Sequence, residues 1–186
     1  MACIGKIASS LALSCGTPGW SDLGRPVSAK VLNASDIASY TVSATGSATI
    51  TRVPTAQGWD LTTINNSMVI TVGLKSQDIM PGAYDVAITF KAFSGTPSTV
   101  SNPTPMGVVG TLERAELVIA VDHGAAIRVY GLGAPLVCTE IAGDSSAGEH
   151  VTYTFGVEDW QVGTTIHYLT REAYGALSTP APTPGA

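Results

Sequence analysis

Over most of the chain, apolar side chains recur at every second position rather than at helical spacing. The clearest run is AYDVAITFKAF, residues 83–93. It sets Tyr84, Val86, Ile88 and Phe90 on one face and Asp85, Ala87, Thr89 and Lys91 on the other. HVTYTFGV, residues 150–157, repeats the pattern, with Val151, Tyr153 and Phe155 opposite Thr152 and Thr154. A period of two predicts half-buried strands. Further strands are expected in PVSAKVLN (26–33), SATITRV (47–53), SMVITVGL (67–74), AELVIAVD (115–122), AIRVYGL (126–132) and around LVCTEI (136–141). Between them stand ATGS, AQGW, MPGA, DHGAA, GLGAP and AGDSSAGE, which supply the Gly, Pro and Asp that reversing backbones use. The predicted class is all-β, a sandwich or barrel.

Helix is scarce. TREAYGAL, residues 170–177, offers Thr170 as N-cap and Glu172 in the first turn, against the cost of Gly175. SDIASYT, near residue 35, is expected to form one turn. LERAEL, residues 112–117, runs straight into VIAV and reads as the lead into a strand.

Three stretches look like extensions of one domain. SGTPSTVSNPTPMGVVG, residues 94–110, carries three prolines and three glycines, too many for a central strand, and is expected to project as a long loop. STPAPTPGA, residues 178–186, has a linker's composition. IASSLALSCG, residues 7–16, resembles an export signal but is short of apolar residues and has Leu13 where a peptidase needs a small side chain. Ile4, Ile7, Leu11 and Leu13 make better sense as the apolar edge of an arm that a neighbour covers. The expected organisation is an N-terminal arm and first strand in 1–24, a β-rich domain in 25–177 and a C-terminal arm in 178–186. The chain is expected to be made in the cytoplasm without membrane insertion, since no run approaches the roughly 18 apolar residues of a span.

Composition sharpens this picture. Charged residues are 12% of the 186, against roughly 25% in ordinary soluble domains, which suggests surfaces covered by other subunits. The net charge of −5 and the absence of Lys/Arg clusters exclude a surface built to grip phosphates. Cys3, Cys15 and Cys138 are odd in number and irregularly spaced, so neither a disulfide framework nor a zinc site is expected, and each reads as a small buried hydrophobe.

Catalytic chemistry finds no constellation. His123, His150 and His167 stand apart from one another, and each reads as an ordinary hydrogen-bonded residue. Asp144 and Glu149 in the Gly-rich loop are too few for a calcium loop, and Glu158 and Asp159 beside Trp160 read as a solvated turn. GLGAPL lacks the third glycine and the helix of a dinucleotide site. Trp20, Trp59 and Trp160 lie near turns, where tryptophan more often anchors a loop or an interface than a ligand. No enzyme activity and no cofactor or metal are expected.

The order of pieces carries a resemblance. SLALSCG followed by DLGRPVSAKVLNASDIASYTV resembles the start of tail tube proteins of long-tailed bacteriophages. The run AELVIAVDHGAAIRVYGLGAPLVCTEIAGDSSAGEHVTYTFG is similar to their later strands, and TREAYGALST to their short terminal helix. The 94–110 loop and the Pro-rich tail depart from that pattern. The resemblance implies a structural virion protein whose homo-oligomeric rings, usually of six subunits, stack into a tail tube beside other tail proteins. Their joined sheets line a channel that passes DNA without binding it specifically. On that reading Ile4, Ile7, Leu11, Leu13, Pro103, Pro105, Met106 and Val108 are candidates for subunit interfaces. Asp144, Glu149, Glu158 and Asp159 are candidates for the lumen or the neighbouring ring. Two alternatives stay open: an exported immunoglobulin-like adhesin or carbohydrate-binding module, for which MPGAYDVAITFKA is also suitable, and another virion part such as a capsid decoration protein.

Overall fold

The computed structural model describes residues 26–61, 67–74, 84–93, 115–143, 150–157 and 166–182. They form an all-β domain closed by one short helix. The strands are β1 (Ser28–Asn33), β2 (Ile37–Val42), β3 (Ala48–Arg52), β4 (Trp59–Asp60), β5 (Val69–Leu74) and β6 (Tyr84–Phe93). They continue with β7 (Leu117–Asp122), β8 (Ile127–Tyr130), β9 (Leu136–Gly143), β10 (His150–Val157) and β11 (His167–Leu169), and α1 (Arg171–Ala176) follows.

Nine of these strands make one antiparallel sheet that bends into two halves. The first half runs β4–β1–β7–β8–β11, with β1 paired to β7 along its whole length, Ser28 opposite Asp122 through Asn33 opposite Leu117. The second runs β9–β10–β6–β5, with Tyr153 opposite Phe90 and Val72 opposite Val86. The halves join through a single pairing, Leu117 with Leu136. The corner between β8 and β9 needs glycine. Gly131 has φ +92°, and a Cβ there would sit 2.8 Å from the Leu117 carbonyl oxygen.

The two halves close on one core of Ala29, Leu117, Ile119, Val121 and Tyr130 against Val86, Ile88, Phe90, Tyr153 and Phe155. Phe90 stacks on both Tyr153 and Phe155, with centroids 5.6 and 5.7 Å away. The alternating faces read from residues 83–93 and 150–157 are the faces observed, with Val86, Ile88, Phe90, Tyr153 and Phe155 all buried.

A third layer covers the outside of the first half. Val118, Ala120, Ile127, Val129 and Leu32 pack there against Ala48, Leu169, Tyr174 and Leu177. Strand β7 is therefore buried on both faces, which explains its unbroken apolar run LVIAV where other strands alternate. Thr170 caps α1, its hydroxyl accepting from the Ala173 N–H. Arg171 ties the helix start to the β7–β8 turn through Asp122 (2.9 Å) and the Gly124 carbonyl (2.8 Å).

The single turn expected near residue 35 is the 3-10 turn Ala34–Asp36, and the rest of SDIASYT belongs to the strand Ile37–Val42, which pairs with β3. Ala38, Tyr40 and Val42 alternate with Ser39 and Thr41 along β2, yet all five are exposed. Beyond residue 177 the chain stays against the domain. Thr55 donates to the Ala181 carbonyl, Ala181 donates to the Ala56 carbonyl, and Ala181 is buried. Arg52 fastens this strap, donating to the carbonyls of Ala56, Ala176, Leu177 and Thr179 at 2.7–3.1 Å. Lys30 adds Asp60 at 2.6 Å and the Ser178 hydroxyl.

Candidate assembly surface

The outer face of β9–β10–β6–β5 follows directly from strand alternation. With Val86, Ile88, Phe90, Tyr153 and Phe155 turned inward, Thr89, Lys91, Thr152 and Thr154 turn outward, joined by Thr71 of β5. Thr89 and Thr154 lie directly opposite, with hydroxyl oxygens 3.3 Å apart, and the Thr139 hydroxyl donates to the Thr154 carbonyl at 3.2 Å. A bulge at Thr154/Phe155 lets Thr139 reach that position. The result is a hydroxyl-rich wall with few charges.

Among the described residues this wall ends in two open edges. Among the described residues, β5 pairs only with β6, and the stretch Val137–Gly143 of β9 pairs only with β10. β5 reads VITVGL, with no charge and no proline, and its Val69 is 57% exposed. Edge strands in monomeric proteins are normally blunted by charge, proline or bulges, and β5 carries none of these.

The first half exposes a different feature. The 3-10 turn, β2 and the 131–135 corner enclose an apolar groove of about 420 Å³. Its walls include Ile37, Ala38, Tyr40, Leu132, Gly133 and Pro135, and none of its ten lining residues is charged. Tyr40 leans over Gly133, where an added Cβ would meet the phenol oxygen at 2.6 Å. The His167 ring lies tilted beside Tyr40 with centroids 6.4 Å apart, and burial holds its imidazole below the usual histidine range. Trp59, on β4, is 61% exposed.

The polar groups inside serve the scaffold. Arg128 is buried on β8, its guanidinium 5.5 Å from the Tyr168 ring centroid. Burial pushes the Tyr130 hydroxyl up to about 12, although the Arg128 guanidinium beside it pulls the other way. Buried His123 approaches that hydroxyl at 3.4 Å. Cys138 is half-buried against the core. Among the described residues no three His, Cys, Asp or Glu side chains gather as a metal site would require, and no helix is long and apolar enough to cross a membrane.

All twelve residues singled out from the sequence lie outside the described residues: Ile4, Ile7, Leu11, Leu13, Pro103, Pro105, Met106, Val108, Asp144, Glu149, Glu158 and Asp159. The surfaces found here lie elsewhere. The hydroxyl wall was legible in the alternating threonines of HVTYTFGV. The open edges and the groove were not, because both depend on which distant segments become neighbours. Family models, characterised proteins and solved structures give no match to this chain.

Proposed function

We propose that this protein is a structural subunit without catalytic activity that joins copies of itself edge to edge into rings, and that the rings stack as a bacteriophage tail tube. The observation that carries this reading is that β5 and β9, on opposite sides of the same four-stranded half, have no further strand partner among the described residues. A strand edge that meets a different edge of the next copy makes a head-to-tail contact, which closes into a ring when the rotation permits. The sheet so extended would present one continuous face of threonine hydroxyls. Such a face, with little positive charge, suits a channel wall that DNA slides past without being held. A chain that is 12% charged is also suited to extensive subunit contact. On this reading the partners are further copies and other tail proteins, assembly takes place in the host cytoplasm, and the site of action is the virion tail.

The third layer weighs against the adhesin reading. An immunoglobulin-like module is two sheets with solvent on both outer faces, whereas here the outer face of the first half is covered by α1 and the β2–β3 hairpin.

The test places lysines on the open edge. Val69→Lys with Thr71→Lys, both at exposed positions, should leave the circular dichroism spectrum and urea midpoint of the domain within roughly 0.5 kcal/mol of wild type. The multimers that the wild-type chain forms in sedimentation velocity should disappear. A wild-type chain that stays monomeric at high micromolar concentration, or a lysine variant that assembles like wild type, would sink the proposal.

A further inference from the structure

We infer that the strap, residues 177–181, is a releasable guard: it covers a backbone edge of the first half that would otherwise pair with another chain, and it opens as a unit of its own. The inference concerns the half that lacks the open edges β5 and β9, and it does not depend on the tube reading.

The edges of the sheet are treated differently in the two halves. β5 and the outer stretch of β9 have no further strand partner among the described residues. On β11 the Tyr168 N–H is taken by the Gly46 carbonyl, and Tyr168 bridges to Ser47. At the other end of the first half, the segment leading into β4 receives the strap. Gly58 donates its N–H to the Leu177 carbonyl, Thr55 donates to that of Ala181, and the Ala181 N–H returns to the Ala56 carbonyl. The strap therefore runs antiparallel to residues 55–58. Gly58 is wedged between it and β1, since an added Cβ would sit 3.2 Å from the Leu177 carbonyl oxygen and 3.3 Å from that of Val31.

The strap is built to end a sheet rather than to extend one. Its buried residue Ala181 is flanked by Pro180 and Pro182, both exposed and both without an N–H. The Thr179 N–H is taken by the Ala176 carbonyl. A neighbouring chain finds few donors there, and proline on an edge blocks further pairing. Without the strap, the N–H groups of Thr55 and Gly58 and the Ala56 carbonyl would stand open next to Trp59, which is already 61% exposed.

Strain in the facing turn makes this contact releasable. Residues 53–56 form a turn closed by the Ala56 N–H on the Val53 carbonyl, with Pro54 second and Thr55 third at φ +67°. That left-handed place favours glycine, and a β-branched side chain is ill suited to it. Thr55 keeps it while the Ala181 carbonyl holds its N–H. When the strap leaves, the turn is free to relax, so opening recovers strain that closing stores. Against it stand the bonds from Arg52 to the carbonyls of Ala176, Leu177 and Thr179, and from Lys30 to the Ser178 hydroxyl.

The experiment uses the full chain carrying Val69→Lys and Thr71→Lys, so that the β5 edge is blunted, and adds Ala181→Arg, whose bulk does not fit the buried socket. The Gly58 amide should exchange roughly tenfold faster or more, while the amides of β6 and β10 keep their protection. The opened chain should self-associate in sedimentation velocity, and the amides of Thr55 and Gly58 should regain protection as its concentration rises. Thr55→Asn, which tolerates the left-handed place, should act in the opposite sense and slow exchange at Gly58 and Ala181 roughly fivefold. A chain that stays monomeric with a fast Gly58 amide overturns the guard, because its bared edge does not pair. Association that leaves the Thr55 and Gly58 amides unprotected does the same. Loss of protection in β6 and β10 together with Gly58, or unchanged exchange in Thr55→Asn, overturns release as a separate step. A double-lysine chain that still assembles with Gly58 protected counts against the tube reading alone.

Discussion

The two halves of the sheet are built from similar residues but are buried differently. β7, in the first half, has the second half on one side and α1 with β3 on the other, and all six of its residues are buried. β10 and β6 share the core on one side and turn threonines outward on the other. A strand enclosed on both sides has no surface left for function. Among the described residues, the half enclosed on one side keeps an uncovered face and two open edges, and the change in burial falls at the corner Gly131–Pro135.

The largest effect that sharpens this contrast comes from one truncation in each half. Ile119→Ala on β7 removes a fully buried side chain from a site packed on both sides. It should lower the unfolding free energy by about 3–4 kcal/mol in urea titrations. Thr154→Ala on β10 loses a half-exposed hydroxyl and should cost about 0.5 kcal/mol. Equal losses at the two sites would show that the outer face of the second half is covered as well.

Legibility follows the same division. Strands with one wet face announce themselves by alternation, so β6 and β10 could be placed on the right faces from sequence alone. β7 could be recognised as a strand, yet nothing local in LVIAVD says what covers its second face, since Tyr174 and Leu177 arrive from some 55 residues away. β2 was missed although Ala38, Tyr40 and Val42 alternate with Ser39 and Thr41, and the structure holds it by its pairing with β3 rather than by a buried face. β11, three residues long, is defined by its pairing with β8 and gives no pattern to read. The capped helix was legible because Thr170 and its partner Ala173 are three residues apart. The groove joins residues near 37 to residues near 133, a proximity that neither segment encodes by itself.

Next in size is an alkaline transition in the first half. Tyr130 is buried and its hydroxyl is pushed from 10.0 up to about 12. The unfolded chain thus loses this proton first, so the stabilisation is complete below pH 10 and is lost as the pH rises from 10 towards 12. By the roughly 1.4 kcal/mol per pK unit of linkage, the loss approaches about 3 kcal/mol. Tyr130→Phe should flatten that part of the curve measured by urea midpoints between pH 9 and 11.5. An unchanged slope would show that the phenol does not ionise within a closed core.

The covering of the first half can be loosened from outside. Arg52 holds four carbonyls of the strap and of the segment that faces it. Arg52→Met keeps the aliphatic stem and removes these charge-assisted bonds, at a cost of about 2 kcal/mol. Amide exchange should accelerate first in residues 174–181 and then in the outward-facing positions of β1 and β8. The amides of β6 and β10 should keep their protection. If all strands lost protection together, the third layer would be part of one cooperative unit with the second half rather than a cover on the first.

The smallest effect sits where that cover meets the groove. His167 on β11 is half-buried and lies tilted beside Tyr40, and burial lowers its imidazole below the usual histidine value of 6.5. The folded chain therefore prefers the neutral ring. Its contribution is fully present above pH 6.5 and declines as the pH falls below that value, because the unfolded chain takes up the proton first. With the ring only partly buried, solvent screening makes this decline the smallest of the effects compared. His167→Gln should remove it without altering the acid behaviour of the second half. The Tyr40 phenol emission should follow the same titration, because the two rings share one wall beside the groove. If that emission stays flat while stability falls, the acid sensitivity belongs to carboxylates elsewhere and the β2 to β11 contact is insensitive to charge.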